Sequence, residues 1–366
     1  MISDRVKRSL KREFRRSRTA QLGLVLVVLM LVVATFAPIF APHDPETQRI
    51  GTGDTDEKTN YPPLSPIPGH DFIGIETETR PDPENPGETI EIETERQPTT
   101  EFALGTNARG QDILSRIVYG SRVSLLVGII GAGIATLVGV PYGLAAGYLG
   151  GRVDDGLMRG ADVMLAFPSL VLAIALVGVF RESGFHTYEL PDPIVLAAQS
   201  ETVPNVLIPR ASHVAEMPET VTFPVTVTLV VALVNWVWFA RIARGEAISI
   251  RSEEYVKAAK SMGASSTTIL RQHVFPNSLT PIIVLATIQV AFIILLESAL
   301  SFLGFSGTNL TWGADVAEGR DQLRTAWWVS TMPGLAIVLA VIGVNLLGDW
   351  LRDALDPGIE GESGGM

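Results

Sequence analysis

Few residues in this chain have the types and spacing that chemistry requires. The five histidines stand at positions 43, 70, 186, 213 and 273, and none forms the His-Glu-x-x-His pattern that binds zinc on a helix. The chain has no cysteine, which excludes thiolate metal ligands and a cysteine nucleophile. No lysine follows a glycine, so the usual phosphate-binding loop of ATPases is missing from the sequence. We therefore expect no catalytic residue, no metal site and no cofactor on this chain.

One carboxylate is notable for its position. Glu297 lies near the end of a long apolar stretch, where an ionisable side chain is costly and is a functional candidate by default. Its place close to the predicted membrane boundary equally favours a structural role at the interface. Both interpretations remain open from the sequence.

The elements that must position these residues are long and apolar. Hydrophobic residues make up 47% of the 366, charged residues only 18%, and the mean hydropathy is +0.30, which argues against a soluble enzyme. Six stretches contain no Asp, Glu, Lys or Arg, and each is long enough to cross about 30 Å of hydrocarbon as a helix. The predicted spans are 19–42, 123–147, 161–180, 220–240, 276–298 and 325–348. The sequence therefore predicts an all-α polytopic membrane protein with six transmembrane helices.

Positive charge sets the predicted orientation. Residues 1–18 form a basic arm with eight Lys and Arg residues, which favours the cytoplasmic side. Six spans then bring the tail, residues 351–366, to the same side, so both termini are expected in the cytoplasm and the chain in the plasma membrane. Loop 241–275 is basic and is predicted to be cytoplasmic. Loops 181–219 and 303–324 are predicted to be external.

The net charge of −11 is concentrated in the predicted external region, residues 43–121, which precedes the predicted membrane core, 122–350. Segment 41–112 holds 16 acids and 5 bases, so the rest of the chain sums to zero. Its Pro, Gly and Thr content predicts an acidic extracytoplasmic insertion of loop or small β structure. Such acidity favours either a chain adapted to high salt or an ordinary solvated loop, and the sequence leaves both open.

Small residues recur every four positions along the second predicted span. A membrane helix with this spacing lets a neighbouring backbone approach closely. The stripe comprises Gly131, Ala135, Gly139, Gly143 and Gly147. It predicts either a sliding helix that lines a pathway or a static packing seam, and the seam is slightly favoured.

A short amphipathic helix is predicted inside the cytoplasmic loop. Ser252 can cap its N-terminus, and Gly263 can supply a left-handed stop. The residues predicted to share one small apolar face are Tyr255, Ala258, Ala259 and Met262. A helix between two spans has no core of its own, so this face suits either the groove of another protein or the bilayer surface.

These residues carry a resemblance to a known family. The stretch Lys257-Ala258-Ala259-x-x-x-Gly263, followed by Phe275-Pro276-Asn277, resembles the Glu-Ala-Ala loop of bacterial and archaeal ABC-importer permeases. Three letters depart from that pattern, since Lys257 stands for Glu, His273 for Ile and Phe275 for Leu. Further segments are similar to the dipeptide/oligopeptide/nickel permeases, in particular to their DppC/OppC branch: 104–116, 120–128, 147–154, 166–169, 297–304 and 345–357.

The resemblance implies a type I importer permease fold and a subunit that forms half of a path for peptides or a similar small solute. It implies a second homologous permease, two cytoplasmic ABC ATPases that bind ATP and Mg²⁺, an extracytoplasmic solute-binding protein, and no nucleic-acid partner. It also implies that the short helix is a coupling helix seated on an ATPase. The coupling residues would be Tyr255, Lys257, Ala258, Ala259, Met262, Gly263, Phe275, Pro276 and Asn277.

Other functions remain as alternatives. A stand-alone channel or secondary carrier would need intramembrane charges or a filter, and the predicted spans are nearly free of charge. A membrane enzyme would need a nucleophile and base or metal ligands at membrane depth. A regulatory scaffold would use the short helix without transport. The sequence does not name the cargo.

Overall fold

A computed structural model describes residues 14–15, 17–49, 59–65, 72–81, 89–181, 187–200, 211–308 and 310–355. Most of the predicted basic arm, the end of the predicted tail and several acidic runs of the external region lie outside the described residues. The described elements are α1 (Arg18–Thr35), α2 (Ala37–Phe40), β1 (Gly74–Pro81), β2 (Thr89–Arg96), α3 (Ile113–Leu149), α4 (Gly151–Leu165), α5 (Ser169–Arg181), β3 (Tyr188–Pro191), α6 (Pro193–Gln199), α7 (Ala211–Ala215), β4 (Thr220–Phe223), α8 (Val225–Arg251), α9 (Glu254–Ser261), α10 (Ser266–Ile269), α11 (Phe275–Phe302), α12 (Trp312–Gly319) and α13 (Trp328–Leu355).

Within the described part of the chain, five helical segments are long and apolar enough to cross a membrane. They are α1, α3, α8, the segment from α10 through α11, and α13. A sixth crossing is present if α4 and α5, which meet at 89°, count as one bent span. The predicted fold class, a mainly helical polytopic membrane protein, is confirmed.

Helix α3 differs from the predicted second span because it starts earlier, at Ile113. Its 37 residues extend about 56 Å at 1.5 Å per residue, well beyond the hydrocarbon thickness. Asp112 caps its N-terminus by accepting a hydrogen bond from the Ser115 backbone N–H at 3.0 Å. The predicted start of the membrane core at residue 122 therefore falls inside a helix.

The predicted third span, 161–180, is not one helix. Helix α4 ends at Leu165, and α5 begins at Ser169 after a sharp bend. Pro168 explains the break, because the residue before a proline is forced away from helical conformation. Residues 152–162, which lie between the predicted second and third spans, belong entirely to the amphipathic helix α4.

The described part of the chain contains two small antiparallel sheets of two strands each. Strands β1 and β2 pair from Gly74 with Arg96 to Pro81 with Thr89, which agrees with the predicted small β structure. Strands β3 and β4 pair within 188–223. The segment 220–223 was predicted as the start of the fourth span but is a strand, and α8 begins only at Val225 and continues to Arg251.

A buried ion pair joins the N-terminal end of α3 to α12. Arg116 donates a hydrogen bond from Nε to Asp315 Oδ1 at 2.7 Å, and a second bond from Nη2 reaches the same oxygen. Arg116 Nη1 also donates to Gln111 Oε1 at 3.1 Å, and Glu318 lies 3.7 Å from Nη2. Burial raises the pKa of the Asp315 carboxyl to about 6, and the Arg116 charge opposes that rise.

We expect Arg116→Met to destabilise the protein by about 3–5 kcal/mol, because removing one partner leaves a buried charge unpaired. The unpaired Asp315 carboxylate is unfavourable only while it is ionised. Without the Arg116 charge its pKa should rise above the wild-type value of about 6, so the deficit should shrink as the pH falls from 8 toward 6. Thermal midpoints in detergent at pH 5 and pH 8 measure both effects. Arg109→Met is the matched control, since the Arg109 side chain is 51% exposed. Equal midpoints for the two variants would contradict the prediction.

Candidate functional site

The predicted cytoplasmic helix is present as α9, but it starts differently from the prediction. Ser252 does not cap it, because α8 continues to Arg251 and Ser252 belongs to the end of that helix. Its hydroxyl donates to the Ser249 carbonyl at 2.7 Å. Glu253 occupies the N-cap position with extended backbone and without a side-chain cap bond.

The end of α9 confirms the predicted glycine stop. Gly263 has φ +87°, and its N–H donates to the Lys260 carbonyl at 3.0 Å. The N–H of Ala264 reaches back to the Ala259 carbonyl at 3.1 Å, which closes the turn. A Cβ at position 263 would meet nothing within 4 Å, so glycine is required here for the backbone conformation and not for space.

This turn yields a matched pair of substitutions. If α9 couples to an ATPase, as the resemblance implies, Gly263→Val should lower peptide-stimulated ATPase activity of the assembled complex at least tenfold, because a β-branched residue resists positive φ and α9 would be re-aimed. Gly263→Asn should keep most of the activity, because asparagine tolerates this conformation. ATPase activity in proteoliposomes with membrane insertion checked in parallel measures both. Equal activity of the two variants would show that the turn is not needed.

Helix α9 has an inner and an outer face. Val256 is 2% exposed and Ala259 is 7% exposed, and they pack in a core cluster that includes Ile250, Ile269 and Val274. The sequence prediction that Ala259 shares the outer face is therefore wrong, since position 259 turns toward the helix's own support. The residues left on the outer face, called the docking face below, are Tyr255 (44% exposed), Ala258 and Met262 (82% exposed).

The docking face adjoins the start of α11. Asn277 Nδ2 donates to the Tyr255 hydroxyl at 3.2 Å and to the His273 carbonyl at 2.6 Å. Phe275 and Pro276 are exposed beside Asn277, and Lys257 is exposed and lies 3.5 Å from Glu254. The structure thus leaves eight of the nine predicted coupling residues exposed, with Ala259 as the exception. Their role in coupling stays a prediction.

A π-helical turn, Leu270–Val274, connects α10 to α11 and was not predicted. It produces one continuous segment in which Pro276 lies in the first turn of α11, where its missing N–H needs no partner. The π-helical turn could not be predicted, because a single extra residue in a helix leaves no distinctive amino-acid composition.

The support under α9 is held by charged contacts. Arg244 donates two hydrogen bonds to the Asp154 carboxylate, at 2.6 and 2.7 Å, and this bonding lowers the pKa of Asp154. Arg251 Nη1 donates to the Tyr148 carbonyl at 2.9 Å. The C-terminal end of α8 is therefore tied to both α3 and α4, which gives α9 a fixed base.

The predicted small-residue stripe meets α8 along its backbone. A Cβ added at Gly139, Gly143 or Gly147 would overlap the carbonyl oxygens of Trp236, Ala240 and Arg244 respectively. Both series advance by four residues in the same direction, so α3 and α8 run parallel. Farther along, Ala135 is fully buried, and a Cβ at Gly131 would lie 3.1 Å from Val231 Cγ2. This close backbone contact favours the static seam over a sliding helix.

Glu297 is fully buried at the end of α11. The Ser301 hydroxyl donates to Glu297 Oε1 at 2.6 Å, and the Ser298 hydroxyl lies 3.4 Å from Oε2. A Cβ at Gly313 of α12 would overlap the Ser298 carbonyl oxygen. The contacts favour the structural interpretation, because Glu297 lies where α11 packs against α12.

Two protein-family models match this chain. The family model described as "Binding-protein-dependent transport system inner membrane component" matches residues 139–361, which include the docking face and the seam with α8. The chain belongs to this family. A second model, the N-terminal transmembrane domain of oligopeptide transport permease C, matches residues 8–63 and confirms the predicted branch of peptide permeases.

Relatives of this permease match nearly full length. The chain is 31% identical over 91% of its length to a probable D,D-dipeptide transport system permease protein of Escherichia coli, covering 85% of that protein. It is 32% identical over 94% of its length to a dipeptide transport system permease protein of Alkalihalophilus pseudofirmus, and the match covers 88% of that protein. A solved structure of the MetNI methionine ABC transporter aligns over 67% of this permease and 98% of that chain, with 14% identity and a TM-score of 0.44.

Proposed function

We propose that this permease forms half of the translocation path of an ATP-driven peptide importer and is coupled to ATP hydrolysis through the docking face of α9. The partners are a second homologous permease, two cytoplasmic ABC ATPases that hold ATP and Mg²⁺, and an extracytoplasmic peptide-binding protein. Both termini lie in the cytoplasm. The names of the relatives, which are dipeptide and oligopeptide permeases, support peptides as the cargo.

One observation carries the proposal. Helix α9 is rigidly supported on one side by Val256 and Ala259, yet it leaves Tyr255, Ala258 and Met262 exposed on the other. An apolar helix face with a fixed base and a small residue at its centre suits a groove in a partner protein. A permease without a phosphate-binding loop needs an ATPase partner to use ATP, and this face provides the contact.

A channel or secondary carrier is the second candidate function, and no described contact favours it. Glu297, whose carboxyl group is buried near the end of α11, is held by serine hydroxyls. A carrier would instead use such a group along a path that water or an ion can reach.

The proposal is tested by purifying the tagged chain from native membranes in mild detergent and identifying all bound proteins by mass spectrometry. Two P-loop ATPases and a second six-span permease are expected. The purified complex in proteoliposomes should take up labelled di- or tripeptides only with ATP and the binding protein. ATP-independent uptake by the chain alone would overturn the proposal in favour of a carrier.

A further inference from the structure

An apolar cavity of 280 Å³ opens between α3, α5 and α8. Its wall includes Val138 from α3, Phe180 from α5, and Leu229, Leu233 and Trp236 from α8. The hydroxyl in this lining is that of Thr226, at the first turn of α8. The lining residues carry no charge, so the cavity is suited to an apolar ligand.

Thr226 is 5% exposed, and its Oγ1 makes no hydrogen bond. Thr228, two residues later, donates to the Pro224 carbonyl at 2.9 Å, the usual outlet for a threonine hydroxyl in a helix. Thr226 lacks this outlet, because the residue four positions earlier is Thr222 in strand β4. A buried hydroxyl without a partner calls for one, and the Thr226 side chain lines the cavity, where a turn about its Cα–Cβ bond would bring Oγ1 to face a ligand.

Depth and volume define the ligand. From Thr226 to Trp236 the cavity follows ten residues of α8, about 15 Å. Thr226 lies at the end of α8 next to β4, and Trp236 lies toward the middle of the helix. Because a cavity of about 150 Å³ holds a benzene ring, 280 Å³ holds roughly a dozen carbon atoms. A peptide bound against this apolar lining would have backbone N–H and C=O groups without hydrogen-bond partners, which is strongly unfavourable.

We propose that the cavity binds one acyl chain of a phospholipid of the outer leaflet, with Thr226 Oγ1 donating to the ester carbonyl of that lipid. The cavity has one hydroxyl near its end and an apolar lining beyond it. A phospholipid has the matching order of groups, with the ester first and the acyl tail beyond it. The acyl chain should occupy the cavity whenever the permease is inserted in a membrane, whether or not the transported solute is bound. A transmembrane helix of the second permease is the competing occupant.

The test uses the tagged full chain in the complex purified from native membranes and returned to phosphatidylcholine vesicles that carry a photoactivatable diazirine in the acyl chain. Two variants alter the cavity: Thr226→Val removes the hydroxyl at constant shape, and Leu233→Trp fills the space. Leu137→Trp is the control, because Leu137 is 76% exposed on α3 and is not part of the lining. Size exclusion verifies that each variant is folded and assembled.

Lipid adducts are expected on the lining residues of the wild type and of Leu137→Trp. They should fall about fivefold in Thr226→Val, the equivalent of one net hydrogen bond, and should disappear in Leu233→Trp. Equal labelling of wild type and Thr226→Val would overturn the role of the hydroxyl and with it the proposal. A benzophenone can be attached specifically at position 233 in Leu233→Cys, because the wild-type chain contains no cysteine. Crosslinking of this benzophenone to the second permease would overturn the proposal.

Discussion

Replacing Gly143 with leucine is expected to prevent the permease from folding. A Cβ at position 143 would overlap the Ala240 carbonyl oxygen, and that oxygen belongs to the backbone of α8, which cannot move without displacing the whole helix. Overpacking of side chains typically destabilises by about 1–3 kcal/mol, and a clash with backbone should exceed that range. Since native proteins are stable by only about 5–15 kcal/mol, we expect little folded protein.

The control for this substitution lies on the same helix. A Cβ at Gly133 meets nothing within 4 Å, so Gly133→Leu adds the same side chain without contact with a neighbour. Fluorescence-detected size exclusion of green-fluorescent fusions reports the folded fraction of both variants. Folded Gly143→Leu at the level of Gly133→Leu would show that α3 and α8 are not locked at this seam.

Ala258→Trp is the second substitution with a large expected effect. Ala258 is exposed at the centre of the docking face, so a tryptophan there leaves the permease fold intact. It would keep α9 out of a groove shaped for a methyl group, because a close-packed contact has no room for nine further non-hydrogen atoms. We expect peptide-stimulated ATPase activity of the assembled complex to fall to the basal rate.

Two controls separate size from other effects. Ala258→Ser changes the residue without filling the groove and should retain coupling. Thr267→Trp places the same bulky side chain on the exposed surface of α10 and should be near wild type. Stimulated activity in Ala258→Trp would contradict docking through this face. Ala259→Trp is not an equivalent test, because Ala259 is buried in the permease itself.

The membrane helices and the family could be predicted from the sequence because both signals are local. Charge-free stretches mark the spans, and the spacing from Ala258 to Gly263 marks the short helix α9 and its glycine stop. The glycine stripe also predicted close helix contact, although its partner, the backbone from Trp236 to Arg244, could not be named. A seam joins residues far apart in sequence, so only the fold identifies the second helix.

The errors in the prediction have physical causes. Helix α3 begins at Ile113, before the charge-free stretch. The helix can include the Arg116 charge because that charge is neutralised by Asp315 of α12, which is far away only in the sequence. Ala259 was assigned to the outer face because helical spacing alone cannot distinguish a side chain that docks on a partner from one that packs below. The bend at Pro168 was overlooked because the flanking segments are both apolar or amphipathic.

The measurement that tests the account most directly is site-specific photo-crosslinking from α9. A benzoylphenylalanine placed at Ala258 in the native complex should form a covalent adduct with a P-loop ATPase, identified by mass spectrometry. The same probe at Val256, which is 2% exposed, should form none. An active transporter in which position 258 links only to lipid, or to no ATPase, would contradict the docking of α9 and the coupling function built on it.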